Sequence, residues 1–193
     1  MRLKTLLLLA AVGLGSVAFH GTLRFELQML DELPMLYLVI VMVYILLERG
    51  PNRRFGRWLP WALAAYAVVL TLLCSGSRGR LQFYVFQVSF GSLEVWSLVR
   101  VSLLWRASHD PAQRRLFRLG VAAYGLGVLV WFSDIRFCYE LGEWLPRHGV
   151  PNPQLHAWWH VLVSCGFYAL LTFIARAPVG APSAHPKTLA LPA

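Results

Sequence analysis

The sequence predicts an all-α, multi-pass membrane protein with about six transmembrane helices, and three observations predict it. The chain of 193 residues is 58% hydrophobic and only 14% charged, with mean hydropathy +0.56. A water-soluble domain has an apolar share nearer half. The apolar residues gather into six runs that approach the roughly 20 residues a helix needs to cross a bilayer. The breaks between the runs are rich in glycine, proline and arginine, residues that end helices and mark membrane boundaries.

The formal net charge is +9. Nucleic-acid binders carry such an excess on one face of a soluble domain, whereas here the arginines punctuate apolar runs. The basicity therefore reports topology and contact with anionic membrane lipids, and a nucleic-acid partner is excluded. The three cysteines, Cys74, Cys138 and Cys165, lie in or beside apolar runs at no metal-ligand spacing, which makes them packing residues.

The runs extend from Thr5 to His20, Leu33 to Leu47, Trp58 to Cys74, Leu81 to Trp105, Leu119 to Phe137 and His156 to Ile174. The first two are short and span only with their flanks or with local bilayer thinning. The opening Met1-Arg2-Leu3-Lys4 ahead of an apolar stretch also has the form of a secretory signal. Cleavage at Ser16-Val17-Ala18 would part Ser16 from His20. Breaks fall at 49–54, at Ser75-Gly76-Ser77-Arg78-Gly79-Arg80 and at His109-Asp110-Pro111. A longer one, from Gly142 to Gln154, holds Pro146, Pro151 and Pro153. Residues 1–176 read as one helical membrane domain and 177–193 as a disordered, proline-bearing tail. There is no internal repeat and no soluble domain.

Lysine and arginine counts orient the spans. Arg2 and Lys4, then Arg49, Arg53, Arg54 and Arg57, then Arg106, Arg114, Arg115 and Arg118, then Arg176 and Lys187 share one face. Only Arg24, Arg78, Arg80 and Arg147 lie on the other. Cytoplasmic loops are enriched in these residues, so both termini are expected in the cytosol. The same bookkeeping puts His20 at the far end of the first span, Asp31 just before the second, and His156 and His160 at the start of the sixth. All four fall at one membrane face.

His156 and His160 are four apart, so on a helix they point to one side and suit a shared metal. The same spacing also suits an aromatic-rich packing face. Ser16 and His20 repeat the spacing on another helix. Of six histidines, His109, His148 and His185 sit in loops or the tail, and only His20, His156 and His160 border the spans. Three imidazoles leave a zinc ion one open position, the pattern of catalytic rather than structural sites. Asp31 suits proton transfer at a water held there, and Ser16 suits stabilisation of the oxyanion. Ionisable residues at membrane depth are functional candidates by default. Asp134 is a candidate to orient a ligand histidine from behind, with an internal ion pair or an interhelical hydrogen bond as the alternative. Glu32 is expected to face headgroups. Trp158 and Trp159 flank the histidine pair and are placed to wall a lipid pocket.

Four blocks carry a family resemblance: Gly15-Ser16-x-x-Phe19-His20-x-Thr22-Leu23, Gln28-Met29-Leu30-Asp31-Glu32-Leu33-Pro34-Met35, Trp131-x-x-Asp134-x-x-Phe137-Cys138 and His156-Ala157-Trp158-Trp159-His160. In order and spacing they resemble the alkaline ceramidases, membrane-embedded zinc amidases, and are most similar to the phytoceramidase-like branch. The likeness runs from about Val12 to Phe173. It implies hydrolysis of the ceramide amide bond to a sphingoid base and a free fatty acid. It also implies zinc on His20, His156 and His160, with Asp31 and Ser16 as catalytic residues, and a location in the endoplasmic reticulum or Golgi membrane. Family members are seven-helix proteins whose additional first helix follows a calcium-binding segment. This chain is expected to begin at the equivalent of their second helix, so no calcium site is assigned. The competing reading is a non-catalytic lipid-binding or receptor-like membrane protein that keeps the zinc for structure. A bis-histidine haem site would use the same imidazoles.

Overall fold

The computed structural model describes residues 2–49 and 55–177, with side chains from Leu7 onward. Six α-helices occur among these residues: α1 (Arg2–Thr22), α2 (Phe25–Leu47), α3 (Leu59–Gly76), α4 (Arg80–Ala107), α5 (Pro111–Arg147) and α6 (Leu155–Arg176). There is no strand among the described residues. Helices α2, α3, α5 and α6 are each long and apolar enough to cross a membrane, and α1 adds the apolar stretch Leu7–Thr22. The protein is an all-α, multi-pass membrane protein. Helix α4 is long enough at 28 residues, but Gln82, Gln87, Glu94 and Arg100 make it more polar than the other spans. Of the predicted tail, 177–193, only Ala177 is described, and of the predicted break at 49–54 only Arg49.

Two helices differ in length from the sequence expectation. Helix α2 begins at Phe25 rather than near Leu33, so Asp31 lies inside the helix and not just before it. The charged pair Asp31-Glu32 lowers local hydropathy without breaking the helix, because both side chains face neighbouring helices. Helix α5 runs for 37 residues to Arg147 and absorbs half of the predicted break. The pairs Arg136–Glu140 and Glu143–Arg147, each four apart at 3.0 and 3.3 Å, support its polar end. At 1.5 Å per residue α5 is about 55 Å long, nearly twice the apolar thickness of a bilayer.

The helices group into two compact units, α1 to α4 and α5 to α6. In the first, Met29, Leu36, Val39, Ile40, Leu70, Cys74, Phe86 and Phe90 form the core. Tyr37 joins α2 to α3 through a 2.6 Å hydrogen bond with Thr71 Oγ1. Because the Thr71 hydroxyl already donates to the Ala67 carbonyl at 2.7 Å, Tyr37 is the donor.

A two-residue turn joins α1 to α2. Leu23 closes it in the left-handed region, φ 55°, and its N–H bonds the Phe19 carbonyl at 2.6 Å, an αL-type helix end. So short a turn folds α1 back along α2. Gly15 then permits the approach, since a Cβ there would fall onto the Leu30 carbonyl oxygen and 2.9 Å from the Asp31 nitrogen. The choice of Leu30 has a local cause. Pro34, inside α2, has no N–H for the carbonyl four residues back, and that carbonyl is Leu30's. The interrupted rung of α2 is the one against which α1 packs.

In the second unit, Asp110 caps α5 by accepting from the Ala112 N–H at 2.8 Å, with Pro111 in the first turn. Helix α6 packs on α5 through Gly166, where a Cβ would lie 2.7 Å from the Tyr124 nitrogen. Phe117 and Phe173 close one end of this pair, with ring centroids 5.7 Å apart.

Candidate functional site

Each unit carries one set of the residues singled out in the sequence. In the first, the close approach at Gly15 sets the last turns of α1 against the first turns of α2. Ser16 and Asp31 are buried at 7% and 5% exposure, and the Ser16 side chain is hydrogen-bonded to Asp31. The Asp31 Oδ2 to His20 Nε2 distance is 3.8 Å, longer than a hydrogen bond. Asp31 Oδ1 is buried and has no hydrogen-bond partner. An acceptor left so costs about 1–3 kcal/mol, an expense that packing alone does not explain.

Glu32, one residue on, does not face headgroups. Its carboxylate accepts hydrogen bonds from Gln28 Nε2 at 2.8 Å and from Gln82 Nε2 of α4. The correction has a physical reason, since a carboxylate on a membrane helix is retained only where donors meet it. The four-residue spacing from Gln28 to Glu32 is a signal that could have found the first partner. No such signal marks Gln82, because nothing in a linear sequence pairs α2 with α4.

In the second unit, His156 and His160 occupy the first turns of α6 with ring centroids 5.0 Å apart. Asp134 of α5 holds His156, with Oδ2 3.1 Å from Nδ1. That contact occupies Nδ1 of His156, so Nε2 is the ring nitrogen that would ligate a metal. Arg136 does not compete for Asp134, because it pairs with Glu140. Trp159 is buried and meets Trp131 at 5.8 Å between centroids, whereas Trp158 is 57% exposed.

The donor chemistry fits a zinc ion. Histidine ligands to zinc usually present one ring nitrogen to the metal and the other to a carboxylate or carbonyl, and His156 is arranged in that way. A catalytic zinc also needs an acceptor not consumed by the fold, and within the first unit Asp31 Oδ1 is an acceptor of that kind.

A family model described as Ceramidase matches residues 1–189. The chain is 34% identical over 173 residues to alkaline ceramidase 3 of Mus musculus, covering 86% of this chain and 62% of that protein. It is 29% identical over 164 residues to an alkaline ceramidase of Arabidopsis thaliana, covering 84% and 60%. It is also 29% identical over 170 residues to alkaline ceramidase 1 of Homo sapiens, covering 83% and 59%. The chain thus spans about three fifths of the length of the curated relatives it matches.

Proposed function

This chain belongs to the ceramidase family, and from that membership we propose that it is a zinc-dependent amidase. It hydrolyses the amide bond of ceramides, giving a sphingoid base and a free fatty acid, in the endoplasmic reticulum or Golgi membrane. His20, His156 and His160 hold the zinc. The observation that carries the reading is Asp31, a buried carboxylate beside a histidine and a serine with one oxygen kept free of hydrogen bonds. The relatives named alkaline ceramidase supply the substrate class.

When bound, the zinc supplies Lewis acidity toward the carbonyl and draws the pKa of water toward neutrality. The remaining work falls to side chains of this chain. Asp31 accepts a proton from the attacking water on Oδ1 and returns it to the amide nitrogen as the C–N bond breaks, so the amine leaves neutral. Ser16 turns its O–H from Asp31 to the carbonyl oxygen as negative charge develops there. Asp134 accepts a hydrogen bond from His156 Nδ1–H, which would leave Nε2 to hold the zinc. Trp159, packed on Trp131 beside His160, offers an apolar wall to an acyl chain.

The test is metal analysis of the purified full chain together with fatty-acid release from a fluorescent ceramide. Expected are one zinc per chain and release that stops on chelation and returns with added zinc. Changing His20 or His160 to alanine abolishes both zinc retention and release. Wild-type turnover by His160→Ala overturns the assignment. Zinc without release identifies a structural metal in a non-catalytic protein.

A further inference from the structure

Asp31 and Glu32 are consecutive on α2, so their side chains leave the helix about 100° apart. Asp31 faces α1, where Ser16 and His20 meet it. Glu32 faces α4. The two carboxylate oxygens of Glu32 are taken separately, Oε1 by Gln28 Nε2 at 2.8 Å and Oε2 by Gln82 Nε2. Gln28 Nε2 also donates to Gln82 Oε1 at 3.3 Å, which closes a ring of three side chains. Gln82 is only 3% exposed, and the surroundings are apolar, with Met29, Phe86 and Phe90 in the core beside it.

Apolar residues already pack α2 against α4, with Met29, Phe86 and Phe90 in one core. Buried charged groups are often replaced by apolar side chains of similar volume with no loss of stability. An apolar contact, however, tolerates rotation of a helix about its axis with little change in buried area, because the hydrophobic effect is non-directional. Hydrogen bonds to both oxygens of one carboxylate are satisfied at one rotational setting. A rotation that parted Glu32 from Gln82 would by the same angle carry Asp31 away from Ser16 and His20.

We propose that Gln28, Glu32 and Gln82 are positioning residues that fix the rotation of α2 and so keep the Asp31 carboxylate aimed at Ser16 and His20. In its activity arm the inference rests on the hydrolase reading. Its second arm does not.

The decisive variants are Glu32→Gln, which removes the acceptor for one of the two amides, and the exchange Glu32→Gln with Gln82→Glu, which rebuilds a carboxylate between the same helices. Two readouts are taken on the full chain, alongside the thermal unfolding midpoint. One is kcat and KM for ceramide hydrolysis. The other is the yield of an oxidant-driven disulfide between Ser16→Cys and Asp31→Cys, measured with the exposed Cys138 and Cys165 changed to serine. Glu32→Gln is expected to lower kcat at least tenfold with KM within twofold. It should lower the disulfide yield at least threefold while the unfolding midpoint stays within a few degrees. The exchange is expected to recover most of both losses. Wild-type kcat and wild-type disulfide yield in Glu32→Gln overturn the proposal, as does an exchange that recovers neither. If the unmodified chain releases no fatty acid, the hydrolase reading fails, and the disulfide yields still decide the positioning role.

Discussion

The first and second units contain the same pair of residue types, a histidine beside an aspartate, used in two different ways. Asp134 lies 3.1 Å from His156, within hydrogen-bond distance, and its work is to hold that ring. Asp31 lies 3.8 Å from His20, too far to hold it, and keeps one oxygen buried without a partner. A carboxylate tied to an imidazole orients a ligand. A carboxylate held near one but left open can move protons. Local packing bears on the difference, since α1 approaches the backbone at Leu30 and Asp31 closely at Gly15.

The sharpest way to break the comparison is to neutralise each aspartate in turn. Asp31→Asn is expected to retain zinc while kcat falls about 10²–10⁴-fold, the usual worth of a positioned general acid–base. Equal activity with asparagine would remove Asp31 from the mechanism. The same change at Asp134 should act on the metal instead. Asp134→Asn is expected to weaken zinc binding about 10–100-fold, with turnover returning toward wild type at raised zinc, as a zinc titration of activity and metal content will show. A fall in kcat that added zinc does not repair would place Asp134 in the chemistry and erase the contrast.

A smaller effect tests the backbone origin of the first arrangement. Gly15→Ala puts a methyl group onto the Leu30 carbonyl, a backbone atom that cannot swing aside. Overpacking of this kind costs about 1–3 kcal/mol, and at about 2–4 °C per kcal/mol for a chain of this size the loss is visible in thermal unfolding. Gly13→Ala, on the same helix with nothing near its Cβ position, should hold or slightly raise the midpoint, because alanine is the better helix former. Equal shifts at both positions would mean that helix propensity, and not close approach, explains Gly15.

Much of the candidate site was legible because it rests on spacing. Ser16 and His20, like His156 and His160, are four apart, and four residues return a helix to nearly the same face whatever surrounds it. Contacts between helices were not legible in the same way. Glu32 looked like a headgroup-facing charge until Gln82 of α4 met it. Asp134 had two readings, ion pair or histidine orienter, that only the register of α5 against α6 separates. The helix limits misjudged at α2 and α5 share one cause: hydropathy marks where a segment is apolar, whereas a helix continues through polar residues whose side chains find partners.

The sequence by itself determined that this protein lives in a membrane, that it is built of helices, and which imidazoles, hydroxyl and carboxylates are candidates for chemistry. Composition and local periodicity suffice for those conclusions, because bilayer thickness and helix pitch are fixed external rulers. Only the tertiary structure decided which aspartate is tethered and which is open, and that the carbonyl freed by Pro34 is the one α1 packs against. Those outcomes depend on which faces of two helices meet and at what register. Contacts between residues far apart in the chain settle both, and no local pattern encodes them.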